Sequence, residues 1–556
     1  MTDAPRVTLP YRRPPELDGT GTRRPVVVVG AGPVGLAAAI DLGQRGIPVL
    51  LLDDDDTVSV GSRAICWSKR TLEILDRLGV AAPMEAKGIT WKVGKVFHQD
   101  RLVYGFDLLP EEGHKHPAFI NLQQYYVEEY LIDRIASMPS VELRWRHKVV
   151  GIAPAADGVT LTVETPDGTC RIDADWVLAC DGARSPVRRM MGLSFEGQVF
   201  EDRFLIADVR MKAGFPTERW FWFDPPFHPG QSALLHRQAD DVWRIDLQLG
   251  WSADPEAEKQ PERVIPRLKA MLGEDARFEL EWVSVYTFQC RRLARFRHGR
   301  VIFVGDSAHQ VSPFGARGGN GGIQDADNLV WKLAMVVRGE APERLLDSYD
   351  EERIHGADEN IRNSTRSTDF ITPKGPGAKA LRDAVLSLAG TDPEVRRFVN
   401  SGRLSLPCSL AGFALQTADA EPWVGGAPPG SVCPDAPVCT ADDRPAWLLD
   451  RLGGDFALLV FAEGSADVPR LPGVRTLVVA PDAAGFAAEV ELLVDTDGLA
   501  VRRYAATPGC VHLIRPDQHV AARWRRFDAA VVAAALDRAC ARGERVADTL
   551  AQGAAA

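Results

Sequence analysis

Residues 25–53 read PVVVVGAGPVGLAAAIDLGQRGIPVLLLD. The valine run is a short buried-strand signal, the glycine turn after it opens a helix, and IPVLLLD is a second strand. Strand, helix and strand in this order form a βαβ unit of the doubly wound kind. Gly30, Gly32 and Gly35 stand in GxGxxG spacing between the first strand and the helix, the context that gives the spacing meaning. The first glycine makes the tight turn. The second lets a pyrophosphate touch the backbone at the helix N-terminus, and the third lets helix and strand pack closely. Asp53 closes the second strand roughly 20 residues on, where a ribose-binding carboxylate is expected. Asp54, Asp55 and Asp56 follow it and leave open which acid is used.

Two further strand ends carry the same kind of signal. ADWVLACDGARSPVRRMMG (residues 174–192) places Asp181 and Gly182 after an apolar strand. VIFVGDSAHQVSPFGARGGNGGIQDADNLVWKL (residues 301–333) starts as a strand and ends as a helix, with Gly305 and Asp306 at the strand end. Its Gly315, Gly318, Gly319, Gly321 and Gly322 ask what a backbone must approach so closely. Three strand-end sites imply a long ligand stretched along one sheet edge.

The rest of the chain sets the frame. A length of 556 residues suggests about three structural units. The net charge of -11 is a poor match for nucleic acid or an anionic membrane, so neither is expected as a partner. No run approaches 18 apolar residues and the N-terminus lacks a signal-type apolar core, so a cytoplasmic protein is expected. The nine cysteines include no CxxC, which disfavours a zinc site or a redox pair; free thiols and no metal are expected.

Residues 1–24 read as a polar N-terminal extension lying on the surface, and 25–405 as the nucleotide-binding region with a second sheet inserted, roughly at 95–120 and 195–290. RLVYGFD, FLIADVRM, SALLHRQ and VWRIDLQLG supply strands for that insert. GGIQDADNLVWKLAMVVRG is a helix with a glycine stop, and LLDSYDEERIHGADENIRNSTRST a long polar helix. A linker is expected at 406–425 and a small α/β unit at 426–550.

Taken together, these three motifs resemble the class A flavoprotein monooxygenases, the aromatic hydroxylases related to p-hydroxybenzoate hydroxylase, over about residues 25–400. The resemblance implies an α/β fold: a doubly wound, Rossmann-like FAD-binding domain interrupted by a mixed-sheet substrate domain. It implies tightly held FAD, a transient visit by NADPH or NADH, and O2 activation through a flavin hydroperoxide. Gly30, Gly32, Gly35 and Asp53 would bind the ADP half of FAD. Arg63 matches an arginine near the pyrophosphate and flavin, and Gln124 a glutamine near the ribityl chain. Asp181 matches an acid involved with FAD and the approach of NAD(P)H, and Asp306 would bind ribityl hydroxyls. Pro313 would place its carbonyl beside the flavin, while Gly319 and Asn320 would present backbone N–H groups to the pyrimidine end. Oriented N–H dipoles at a helix start stabilise the negative charge of reduced flavin. The absence of a second GxGxxG in the sequence agrees with a nicotinamide that only visits. The C-terminal unit resembles the thioredoxin-like domain appended to phenol hydroxylase, VHLIRPDQHVAARW being its most recognisable stretch. Without a CxxC it implies packing, with a homodimer left open, rather than thiol chemistry.

On the substrate side, the hairpin SALLHRQADDVWRIDLQLG puts His236 and Gln238 on one face of its first strand and Arg244, Asp246 and Gln248 on one face of its second, with ADD as the turn. The resemblance lays this hairpin over the flavin, with Arg244 near the ring. Where p-hydroxybenzoate hydroxylase holds its substrate carboxylate with a serine and an arginine, this chain has His236 and Gln238, so a simple benzoate held in that way is not expected. Phenol hydroxylase has a base aspartate where this chain has Ile65. His236 is therefore the expected base or relay, with Tyr286 behind it. ERWFWFDPPFHPG offers Trp222 and its neighbours as an aromatic wall, suited to a large or polycyclic phenol. The expected reaction is the NAD(P)H- and O2-dependent hydroxylation of a small phenolic or polycyclic aromatic compound. The alternatives are a related flavoenzyme performing epoxidation, Baeyer–Villiger insertion, halogenation or dehydrogenation, and a non-catalytic flavin-binding redox sensor. WFWFDP echoes the WxWxIP motif of halogenases but lacks its isoleucine.

Overall fold

The computed structural model describes residues 8–61, 64–399, 404–464 and 468–543. The chain divides into two compact units: Met1–Val330 with Arg353–Cys408, and Trp331–Glu352 with Ser409–Ala556. The segment Trp331–Glu352, expected within the first region, clusters with the second. None of the described helices is long and apolar enough to cross a membrane.

In the first unit, the valine run folds as the strand Arg24–Val29, lying between Val49–Leu52 and Gly168–Ala179, all parallel. Val301–Phe303 joins on the far side of Gly168–Ala179, also in parallel. The register pairs Phe303 with Ala179, Ala179 with Val29, and Val29 with Leu52, so four strands end at one level. The ladder continues one residue further, with Gly30 N–H donating to Leu52 O, Cys180 N–H to Val29 O and Val304 N–H to Ala179 O. Gly30, Asp53, Asp181 and Asp306 therefore follow strands that stop along one sheet edge, where ligands of open α/β sheets bind.

The inserted sheet has eight strands in the order His309–Gln310, Glu279–Arg292, Glu196–Arg210, Val242–Leu249, Ser232–Arg237, Arg219–Phe223, Val93–His98 and Arg101–Asp107. It is mixed: Arg219–Phe223 runs parallel to Val93–His98 and the other pairs are antiparallel. Its edge strand His309–Gln310 comes from the 301–333 stretch, which ties the two sheets together. Phe119–Asn121, expected in the insert, instead pairs with Cys66–Ser68 and Ile89–Trp91 in a separate three-stranded sheet. One face of the insert is apolar: Leu205, Ala207, Leu235, Trp243 and Ile245 pack with Val264 and Leu268 of the helix Pro261–Leu272. Strand alternation sends the intervening residues to the opposite face. The hairpin turn is ADD: Asp240 and Asp241 have φ of 62 and 57°, and Gln238 N–H donates to Val242 O at 2.7 Å. Two successive left-handed residues are the type I′ signature of a tight hairpin.

The N-terminal extension is more than a surface arm. Glu16 accepts from Arg144 at 2.8 Å with both side chains buried, and Arg24 pairs with the same carboxylate.

The second unit is built on a seven-stranded mixed sheet, with Ala457–Phe461 lying between the parallel Arg475–Ala480 and the antiparallel Val511–Ile514. VHLIRPDQHVAARW forms the hairpin Val511–Ile514 and Val520–Trp524. Between its strands Arg515 lies fully buried, bonded to Glu352 at 2.6 Å and to Asp517 at 2.6 Å, while Lys332 reaches Glu352 at 2.8 Å. Two cations and two anions thus share one dry site, and each would be costly to strand alone. This cluster explains why Trp331–Glu352 belongs with the C-terminal chain. The expected linker is packed too: Leu410 N–H donates to Gly430 O and Thr417 N–H to Ala521 O. All nine cysteines are free.

Candidate active site

The fingerprint loop shows why two of its glycines cannot be replaced. A Cβ on Gly30, whose φ is 103°, would lie 2.5 Å from Cys180 O, and one on Gly35 would lie 1.9 Å from Gly30 O. A Cβ on Gly32 would meet nothing within 4 Å. Gly30 and Gly35 are thus required by the protein's own packing, whereas Gly32 borders open space at the start of the helix Pro33–Gln44. Asp53 accepts from Ala31 N–H at 2.5 Å and from Asp55 N–H at 2.9 Å. Burial pushes its carboxyl up to about 7, the neighbouring acids adding to the effect.

At the next strand end, Asp181 Oδ2 accepts from Val187 N–H at 2.9 Å, while Oδ1 is buried without a partner. Burial raises this carboxyl above its ordinary range. At the third, Asp306 is exposed in the turn Gly305–Ser307. Behind it, Asp325 accepts from Gly305 N–H at 3.1 Å, pairs with His309 at 2.6 Å and with Arg353 at 2.6 Å. His309 thus belongs to a buried ion network that supports the strand-end turn.

The helix Gly318–Val337 begins beside this turn, and Gly319 and Asn320 sit in its first turn. First-turn N–H groups have no acceptor within the helix and point outward from its N-terminus. The Asn320 side chain accepts from Ser68 N–H at 2.9 Å and donates to Cys66 O at 2.9 Å and Ala316 O at 2.6 Å. A Cβ on Gly319 would lie 3.4 Å from Ala64 and 3.5 Å from the Trp67 ring. Gln124 accepts from Ala64 N–H at 3.1 Å. Gln124, Gly319 and Asn320 therefore converge on residues 64–68. The Pro313 carbonyl accepts from Ala316 N–H at 3.0 Å, so it helps shape the loop that precedes the helix. Gly322 has a different reason: its Cβ would lie 2.6 Å from Val34, so it serves close helix contact. Arg63 lies outside the described residues.

These features fit FAD. The strand ends give a track along one edge, Gly32 leaves the backbone open, Asp181 offers a buried unpaired oxygen, and two helix N-termini present N–H dipoles that would suit an anion.

The polar face of the inserted sheet reaches the same segment. His236 pairs across the hairpin with Arg244, and its Nδ1 lies 3.8 Å from Cys66 Sγ. His236 Nε2 is buried without a partner. Burial, with Arg219 and Arg244 nearby, holds His236 neutral, well below its ordinary range. Arg244 is gripped by Asp208 through Nε at 2.8 Å and Nη2 at 3.0 Å, and Gln238 donates to the same carboxylate at 3.0 Å. Arg244 and Gln238 are thus organised by an acid that sequence reading had given no part. Tyr286 pairs with Phe204 on this face, with the Trp282 ring 6.3 Å away.

Trp222 is not on this face. It pairs with Ala233, stacks on Phe97 at 5.2 Å and packs in the apolar core. Strand alternation is the reason: its neighbour Phe221 pairs with Leu234 and takes the polar side. On that side Phe204 and Phe288, each 5.2 Å from the Phe314 ring, and Phe221 at 6.4 Å form a buried aromatic cluster. Phe314 comes from the PFGARGGN loop, so one loop leads both to the helix N-terminus and to this cluster.

The FAD binding domain family model matches residues 23–364. The chain is 31% identical over 546 residues to 6-methylpretetramide 4-monooxygenase of Streptomyces rimosus, covering 94% of each chain. It is 30% identical over 443 residues to a 3-(3-hydroxy-phenyl)propionate/3-hydroxycinnamic acid hydroxylase of Mycolicibacterium smegmatis (strain ATCC 700084 / mc(2)155), covering 78% of this chain and 76% of that one. The solved structure of the flavin-dependent monooxygenase PieE in complex with FAD and substrate superposes with a TM-score of 0.79 at 21% identity, over 94% of this chain and 100% of that one, a likeness of fold. With a family match over more than half its length and relatives aligned along most of it, the chain belongs to the FAD-dependent aromatic hydroxylases of the FAD binding domain family.

Proposed function

We propose that this monooxygenase uses O2 and NADPH or NADH to hydroxylate a phenolic or polycyclic aromatic compound. One observation carries the reading: the face of the inserted sheet that brings His236 to Cys66 combines clustered phenylalanines with buried polar groups that lack partners. An aromatic ring bearing an oxygen substituent matches both halves. The relatives named above, one named for 3-(3-hydroxy-phenyl)propionate and 3-hydroxycinnamic acid and one for 6-methylpretetramide, support the same chemical class.

Bound FAD supplies the redox and oxygen chemistry. The protein's part is to bind and orient. Gly32 and the fingerprint helix would receive the pyrophosphate, Asp306 the ribityl hydroxyls, and the first turn at Gly319 and Asn320 the pyrimidine end. Phe204, Phe221, Phe288 and Phe314 exclude water from the aromatic substrate. His236, neutral at physiological pH, offers an imidazole nitrogen to a substrate hydroxyl. Arg244, fixed by Asp208, adds a positive field that favours a phenolate.

Purified protein supplied with FAD should be yellow, and aromatic compounds should speed its oxidation of NAD(P)H. Product formed under 18O2 should carry the label. A colourless protein that rejects FAD, or labelled oxygen that appears only in water, would overturn the reading.

A further inference from the structure

Three buried polar atoms on the substrate face lack partners: Asp246 Oδ1, His236 Nε2 and Arg219 Nη1. They belong to adjacent strands. Asp246 pairs with Leu234 in the hairpin and with Ile206 on its other side, one pleat from the His236–Arg244 pair. Arg219 is two residues before Phe221 and so shares its face. A donor, an acceptor and an imidazole left unpaired on one sheet face form an arrangement that a ligand's oxygen atoms would complete, because each orphaned atom costs about 1–3 kcal/mol until it is paired.

We propose that Asp246 is the group that takes the phenolic proton of the substrate, while Arg219 holds the oxygen that the proton leaves. This rests on the hydroxylase reading and extends it to a residue. The O–H bond of the phenol breaks, a bond from that hydrogen to Asp246 Oδ1 forms, and the pair of electrons stays on the phenolic oxygen; no oxidant is involved in this step. The ring becomes more electron-rich, which is what attack by an electrophilic oxygen requires.

The surroundings suit the exchange. Asp246 is faced by Arg244 and Arg219, which favour its charge, and by Asp208, which opposes it; His236 and Cys66 complete the cluster. Burial outweighs the two arginines and moves the carboxyl up to about 6, so it is ionised and receptive at neutral pH yet holds a proton readily. Burial, joined by the same two arginines, pushes His236 well down, so it is the weaker base. Arg244 is already committed to Asp208, which leaves Arg219 as the cation with an unused donor.

The test uses the oxidised FAD-loaded protein without nicotinamide, so that nothing turns over. 2-Naphthol, phenol and 3-hydroxyphenylpropionate, all un-ionised phenols in neutral water, are titrated in while flavin and phenolate absorption are recorded. At pH 7 the wild type should bind 2-naphthol as naphtholate. Asp246→Asn should lower the bound naphtholate by at least about tenfold, the equivalent of one unit of proton affinity. Asp246→Glu should restore it. In the wild type alone, the naphtholate signal should fade as pH drops through about 6, where Asp246 is already protonated. A naphtholate signal equal in wild type and Asp246→Asn, or one that persists unchanged to pH 5 in the wild type, overturns the proposal while leaving the hydroxylase reading in place. A wild type whose flavin spectrum responds to none of the three phenols overturns both.

Discussion

Replacing Asp208 with alanine takes away the carboxylate that accepts from Arg244 at 2.8 and 3.0 Å and from Gln238 at 3.0 Å. The side chains of Arg244 and Asp208 are 5% and 3% exposed, so water cannot replace the lost partner. Stranding one member of a buried ion pair costs about 3–5 kcal/mol. The hydrogen bond that Gln238 loses adds about 1 kcal/mol. The expected loss is roughly 4–6 kcal/mol, a large share of the stability of an ordinary domain. Chemical denaturation of the FAD-loaded protein, followed by circular dichroism, measures it. The companion double variant Asp208→Leu with Arg244→Met removes both charges, and it should recover to within about 2 kcal/mol of the wild type, since apolar replacement of a buried pair is often neutral. A loss below about 1 kcal/mol in Asp208→Ala would refute the reasoning, because it would mean that Arg244 is solvated or finds another anion.

Other outcomes follow from the same geometry. Gly35→Ala places a methyl 1.9 Å from Gly30 O and should give a protein that purifies without FAD, whereas Gly32→Ala should fold normally but bind FAD at least about tenfold more weakly; absorbance and FAD titration separate the two. Asn320→Ala deletes two hydrogen bonds that join the helix start to Cys66 and Ser68 and a third to Ala316, and unfolding should show a loss of roughly 2–4 kcal/mol. His512 sits between Trp423, Phe461 and Tyr504 with both ring nitrogens unpaired, and burial pushes it down to about 3. The folded state keeps it neutral while the unfolded chain protonates it near pH 6.5, so its contribution to stability is lost as pH falls from about 6.5 toward 3. His512→Phe should flatten that acid limb in a pH series of unfolding curves.

The cofactor half was legible in the sequence because its chemistry is carried by backbone. Glycines at Gly30, Gly32 and Gly35, and acids placed just after apolar strands, are local signals that need no knowledge of distant partners. The substrate half was legible in part. Alternation put His236, Arg244 and Asp246 on matching faces, and the ADD turn set their register. What alternation within single strands could not give was pairing between strands. Asp208 lies 36 residues from Arg244, and nothing local in FLIADVRM marks it as that arginine's counter-ion. Trp222 was misplaced for the same reason: in the run Trp220–Phe223 every residue is aromatic, so composition does not reveal which side faces in. The assignment of Trp331–Glu352 to the second unit rests on Glu352, which also holds Lys332, meeting Arg515, 163 residues on, an encounter that helix periodicity cannot show.

The two-faced hairpin constrains how such an enzyme can change its substrate over evolutionary time. Leu235 and Ile245 face the core while His236, Arg244 and Asp246 face the opposite side, and the left-handed aspartates of the turn fix which is which. Losing or gaining one residue in either strand would exchange the two sets, expelling the core side chains and burying the charges among them. Length variation is therefore closed to this hairpin as a route to new specificity. The accessible paths are point substitutions at every second position, one polar-face residue at a time, with the apolar face held constant behind them.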